Sequence, residues 1–279
     1  MDEIHYDNAE DTPKELVKEQ KDLRTLEMSG FSVPLWSGRR FIGSGTLVSA
    51  NGNYGILTAH HVSKLWNESE PLCLNIAQFD HIFYVPPPMV QHIVIGEYSE
   101  NRPGSDGPDL ALFRILDPAK IESLKARKMF LNLDVHSVET VTKFPLEAQQ
   151  CFVVGCPDEI KLGELVSDAP PVWSGQALFS AQVDFRLRSI RGEFDYVEML
   201  TYSGIHGFPA TFKGVSGGGI WAFMLRRSAE DPSIVNSLSP ELIGVAFYQG
   251  PAAEDMRTIY GHGPSSIYIA TRAALAQVS

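Results

Sequence analysis

From Phe31 onward the sequence is a succession of short β-type runs cut by Gly, Pro, Asn and Asp, and this punctuation leaves few folds open. Runs this short, rich in β-branched and aromatic residues, satisfy their backbone by lateral pairing. Strands are expected at Arg40 to Val48, Tyr54 to Leu57, Leu72 to Ile76, His92 to Glu97 and Asp109 to Ile115. Between the first two, Ala50-Asn51-Gly52-Asn53 carries the Asn-Gly pair that suits a hairpin turn, because both residues tolerate positive φ. A charged, helical-looking stretch from Asp117 to Lys128 interrupts the pattern. It resumes at Cys151 to Val154, Tyr196 to Tyr202, Gly219 to Met224, Leu242 to Tyr248 and Ile267 to Ala270, before a closing helix from Thr271 to Val278. Many short strands with few long helices predict an all-β chain, an antiparallel barrel or sandwich.

Residues 1–30 differ in character. Thr12-Pro13 reads as an N-cap with proline at the first helical position. Leu16, Val17, Leu23 and Leu26 fall on one face of a charged helix ending near Gly30, expected to pack on the body. The interruption near residues 117–145 divides the remainder, giving boundaries at 1–30, 31–135 and 136–279. A chain of 279 residues with 44% hydrophobic content has ample core for one large domain or two medium ones. Its formal net charge of -11 argues against a dedicated nucleic-acid binder, whose affinity rests on Lys and Arg. No apolar run is long enough for a membrane span. The amino terminus lacks the basic and apolar regions of a secretory signal. Cys73, Cys151 and Cys156 form no disulfide framework and fit metal-ligand spacing poorly, so free core thiols are expected. Together these features predict a cytoplasmic protein without metal or cofactor.

Three short segments carry chemistry, in the order His, Asp, Ser: Thr58-Ala59-His60-His61-Val62, Asp109-Leu110-Ala111-Leu112 and Gly214-Val215-Ser216-Gly217-Gly218. A serine hydroxyl is a poor nucleophile until a histidine takes its proton, and a carboxylate fixes that histidine's tautomer. The glycines around Ser216 let the backbone turn sharply and let N–H groups converge on a developing oxyanion. Alone, Gly-x-Ser-x-Gly also fits a nucleophile elbow. Order and length argue against that fold, which puts acid and histidine after the serine, whereas only 63 residues follow Ser216 here and His262 is the single histidine among them.

Ile56-Leu57-Thr58-Ala59-His60-His61-Val62 resembles the histidine motif of the chymotrypsin/trypsin-like serine peptidases, in which Thr-Ala-Ala-His follows an apolar strand. Asp109-Leu110-Ala111-Leu112-Phe113 is similar to that family's Asp-Ile-Ala-Leu-Leu, and Gly214 to Gly218 to its Gly-Asp-Ser-Gly-Gly. The resemblance spans residues 40–270. It implies two antiparallel β-barrels of the chymotrypsin-like type, the first holding His61 and Asp109 and the second Ser216, with the N-terminal helix and a short C-terminal helix added. It implies His61 as base rather than His60, a neighbour held by a local hydrogen bond. Asp109 is preferred to Asp106 as the orienting acid because it directly precedes an apolar run. The N–H groups of Gly214 and Ser216 would form the oxyanion hole.

The departures are informative. Val215 stands where proteolytically activated members carry aspartate, which predicts a non-zymogen, intracellular enzyme; a bacterial type is expected. Val62 replaces the cysteine of the flanking disulfide. For specificity, the resemblance puts Ala210 at the base of the primary pocket, Tyr248 and Gln249 on its lining strand, Ser266 near its far wall and Lys213 beside the oxyanion glycine. With no carboxylate at the base, a neutral or small side chain is expected rather than Arg or Lys. The expected partners are a protein or peptide substrate and a regulatory protein. The alternative is a catalytically silent binding module on the same fold.

Overall fold

The computed structural model describes residues 14–76, 82–142, 149–159, 161–162, 175–176, 178–205, 207–227 and 235–277. Two antiparallel sheets account for most of them. The first contains β1 (Ser32–Ser37), β2 (Arg40–Ala50), β3 (Asn53–Thr58), β4 (Leu72–Asn75), β5 (Ile82–Val85), β6 (Val90–Gly96) and β7 (Leu110–Ile115). Their order is β5-β4-β1-β2-β3-β7-β6, with β8 (Leu131–Asn132) added parallel to β2. The β2–β3 hairpin turns at Asn51 and Gly52, at φ +50° and +75°, as the Asn-Gly pair predicts.

The second sheet contains β9 (Gln149–Gly155), β12 (Phe179–Arg191), β13 (Phe194–Tyr202), β14 (Gly219–Arg227), β15 (Val235–Ser237), β16 (Glu241–Ala253) and β17 (Met256–His262); a short pair, β10 (Lys161–Leu162) and β11 (Gly175–Gln176), stands apart. Strand β14 pairs with both β16 and β9, so β14, β16, β17, β13, β12 and β9 close into a ring. Closure removes the exposed edges that an open sheet would leave. The result is the all-β architecture of two antiparallel sheets that the sequence predicts, the second of them closed into a ring.

The two halves share buried surface. Val33, Leu35, Leu47, Ile56 and Phe113 fill the first barrel. The second core, around Val153, Ile220, Trp221 and Val245, continues into Leu57, Leu110 and Leu112 of the first sheet. Each such side chain stabilises the fold by roughly 1.5–3 kcal/mol when fully buried. Cys73, Cys151 and Cys156 are free and buried. Burial pushes the Cys151 and Cys156 thiols up to about 12, which leaves them protonated and inert.

Three expectations need correction. Helix α1 (Lys14–Phe31) does pack on the body, but not through the predicted stripe: Leu23 and Leu26 are 51% and 73% exposed. Its inner face is Met28, fully buried, Arg24, which donates to Ser237 Oγ and to the Ser237 carbonyl, and Phe31, stacked on Trp221 at 5.1 Å. The cap proposed at Thr12-Pro13 lies outside the described residues, as do the side chains of Leu16 and Val17.

Second, Ile267 to Ala270 is helical rather than extended, within a wide turn over Ser266–Thr271 that continues as a helix over Arg272–Ala276. The cause is distant in sequence. Asp195 accepts the N–H of Ser265 and of Ser266 and so caps the turn. Burial alone would raise the Asp195 pKa, but bonds from Ser266, Ser265 and Arg188 outweigh it and hold the carboxyl low. Third, the C-terminal helix, grouped by sequence with the second barrel, packs on β2 and β3 of the first. The predicted end of that helix at Val278 lies outside the described residues.

Candidate active site

His61 sits in a single helical turn, α2 (His60–Ser63), which leaves β3 directly after Ala59. Asp109 immediately precedes β7, the neighbour of β3, so adjacent strands deliver the two side chains to one end of the first barrel. Asp109 grips His61 twice. Its Oδ1 accepts the His61 backbone N–H at 2.8 Å, and its Oδ2 lies 2.6 Å from Nδ1. A carboxylate can only accept, so Nδ1 carries a proton, and in the neutral ring Nε2 is the nitrogen with the lone pair. The carboxylate is buried, at 3% exposure, while the imidazole is 32% exposed and faces the cleft.

Asp109 is itself held from behind. Its backbone N–H donates to Nε2 of His262, a fully buried residue at the end of β17 in the other barrel. His262 is enclosed by Phe194, Tyr196 and Phe247, and burial drives its pKa down to about 4. It is therefore neutral, with the proton on Nδ1, which has no partner among the described residues. His60 points away from the cleft and accepts the Tyr98 N–H on Nδ1 at 2.7 Å. Asp106 lies in an exposed loop and pairs with Arg191.

Ser216 lies on the loop before β14, and β2 of the first barrel fixes that loop. The Ser216 carbonyl accepts the Ser44 N–H at 2.9 Å, and Ser44 Oγ donates to the Gly214 carbonyl at 2.7 Å while accepting the Cys156 N–H at 2.8 Å. Gly217 has φ +87°, and a Cβ there would collide with the Ser44 carbonyl and the Thr58 hydroxyl. Only glycine fits. Within the loop, Val215 N–H donates to Phe212 and Gly217 N–H to Ala246. The N–H groups of Gly214 and Ser216 donate to no carbonyl among the described residues. Ser216 Oγ donates to the Phe247 carbonyl at 3.3 Å rather than to His61.

His61, Asp109, Gly214 and Ser216 all line one cleft of about 880 Å³ between the barrels. Tyr248, Gln249 and Lys213 line it too. Tyr248 packs its ring on Tyr260, and Gln249 Oε1 accepts the Phe212 N–H at 2.7 Å, bracing the strand against the nucleophile loop. Lys213 is exposed and lies 3.4 Å from Asp158. Two expected pocket residues are elsewhere. Ala210 is exposed and contributes backbone, its N–H donating to Glu159. Ser266 is fully buried on Asp195. The far wall is instead formed by β17, a strand not anticipated, which brings Arg257 and Ile259 into the cleft. Ser44, His262 and Arg257 were all missed. A lone arginine in the β-type run Met256-Arg257-Thr258-Ile259-Tyr260 was the available signal for the last.

No metal-holding group of three or more His, Cys, Asp or Glu residues occurs among the described residues. No protein-family model matches the sequence, and no curated protein matches it. Among solved structures the chain is similar to kallikrein-related peptidase 10, with a TM-score of 0.46 and 14% identity over 88% of this chain and 95% of that one.

Proposed function

We propose that this protein is a serine endopeptidase working through His61, Asp109 and Ser216. The observation that carries the proposal is the double grip of Asp109 on His61, which makes Nε2 the accepting nitrogen of the neutral ring in the cleft that also holds Ser216. In the reaction, Ser216 Oγ leaves the Phe247 carbonyl, gives its proton to His61 Nε2 and attacks the peptide carbonyl carbon. The oxyanion is received by the uncommitted N–H groups of Gly214 and Ser216. His61 then protonates the departing amine, and water, deprotonated by the same nitrogen, releases the acyl group. No cofactor is needed. The buried free thiols support a reducing compartment, the cytoplasm, as its place of work.

The bond from Ser216 Oγ to Phe247 favours a second reading, a silent binding module or an enzyme resting until a partner turns the hydroxyl. A fluorophosphonate probe separates the readings. A peptidase is labelled, loses labelling in Ser216→Ala and loses most of it in His61→Ala. A protein that stays unlabelled, with or without candidate partners, is a binding module.

A further inference from the structure

Arg257 is the unexplained charge of the cleft. Its guanidinium carries five N–H donors. Three are used, all on neutral acceptors: Nη1 on the Gly250 carbonyl at 2.9 Å, Nη2 on the Ala210 carbonyl at 3.1 Å and Nε on Ser203 Oγ at 3.4 Å. No carboxylate lies within ion-pair distance among the described residues. Half-buried charges are ordinarily paired, because removing them from water is costly. Here the three acceptors fix the planar fork, and two N–H groups remain uncommitted.

The other charges in the cleft are spoken for. Asp109 holds His61, and Lys213 pairs with Asp158. Arg257 stands on the same wall as Gln249, Gly250 and Ile259 and shares the cleft with Ser216. A positioned guanidinium with two free donors matches a carboxylate bidentately. The chain's net charge of -11 supplies no general attraction for an acidic ligand, so a local cation is what such recognition needs.

We propose that Arg257 makes this cleft selective for an acidic side chain, glutamate or aspartate, on the acyl side of the scissile bond. This replaces the neutral or small residue expected from sequence, and it rests on the peptidase reading above. Arg257 is a specificity residue; it has no part in bond cleavage.

The test uses the full chain and matched peptides that differ only in Glu against Gln, or Asp against Asn, before the cleaved bond. Wild-type protein should cleave the acidic peptide with kcat/KM roughly ten- to a hundredfold above its amide twin, the span of one charge-assisted contact. In Arg257→Gln that ratio should fall to about one while fluorophosphonate labelling of Ser216 persists. Arg257→Lys should keep part of the preference. Equal cleavage of both twins by labelled wild-type protein overturns the proposal, as does an unchanged ratio in Arg257→Gln. A uniform loss for both twins with the ratio preserved assigns Arg257 a purely structural role. Binding of the same peptides to Ser216→Ala keeps the two ideas apart. An acidic preference there in a protein that never labels supports the Arg257 site while the peptidase reading falls.

Discussion

Ser44 joins the first barrel to the nucleophile loop through two contacts, to the Ser216 and Gly214 carbonyls, and its side chain also accepts the buried Cys156 N–H. In Ser44→Ala the Cys156 N–H and the Gly214 carbonyl lose their partner. An unsatisfied buried polar group costs about 1–3 kcal/mol, so denaturant titration should show a loss of that order. Because the Gly214 carbonyl belongs to the turn that carries Ser216 into the cleft, labelling by the fluorophosphonate probe should slow by more than the stability loss explains. A variant that is destabilised yet labels at the wild-type rate makes Ser44 a packing residue only. Asp109→Asn addresses the tautomer. An amide can donate as well as accept, so the imidazole is no longer held with its proton on Nδ1, and fluorophosphonate labelling of Ser216 should slow by about 10⁴ if the three residues work as a triad, the cost of an Asp-to-Asn change in a Ser-His-Asp triad. Its stability should change far less than its rate.

At the scale of elements, α1 makes the sharpest contrast between sequence and structure. Leu23 and Leu26 look like part of the buried stripe and are exposed, while Met28 is fully buried. Met28→Ala should cost about 2–5 kcal/mol, the range for large-to-small changes in a core. Leu26→Ser should stay within about 0.5 kcal/mol, as surface changes usually do. Urea denaturation of the pair decides it, and equal losses in both would return the docking face to the leucines. The reason for the misreading is physical. Apart from Met28 and Phe31 near its end, the helix meets the body through polar contacts, Arg24 to Ser237 and Lys21 to Gln182, and the Lys128 ammonium caps it through the Ser29 and Ser32 carbonyls. Polar docking leaves no hydrophobic period to read. The β2–β3 hairpin was legible because Asn51-Gly52 encodes its own turn. Strand β17 and the turn at Ser266 were not, because the first is defined by pairing with β13 and β16 and the second by a carboxylate some seventy residues away.

Over the whole molecule, the candidate site divides along the same line. His61, Asp109 and Ser216 stand in short motifs whose residues are local, so their order and wording carried the reading. Ser44, His262 and Arg257 act across barrels and strands, and no local pattern marks such residues. His262 makes this long-range wiring testable by pH. It is the acceptor for the Asp109 N–H and has its pKa lowered by burial to about 4, with Asp109 and Asp195 opposing the shift. Unfolded, it would titrate near the ordinary value of 6.5. Between those values the unfolded chain binds a proton that the folded chain refuses, so stability rises with pH across the window and falls as acid is added. Burial lowers His60 and His92 as well, which adds to the slope in the same direction. From His262 alone the loss on going from pH 6.5 to 4 is roughly 3 kcal/mol at about 1.36 kcal/mol per unit. His262→Gln keeps an acceptor for Asp109 but cannot titrate. Its unfolding free energy, measured by denaturant at steps across this window, should therefore slope less steeply by about one proton. Identical slopes in the two proteins would mean that His262 protonates in the folded state as readily as in the unfolded chain, and that the junction between the barrels is wet.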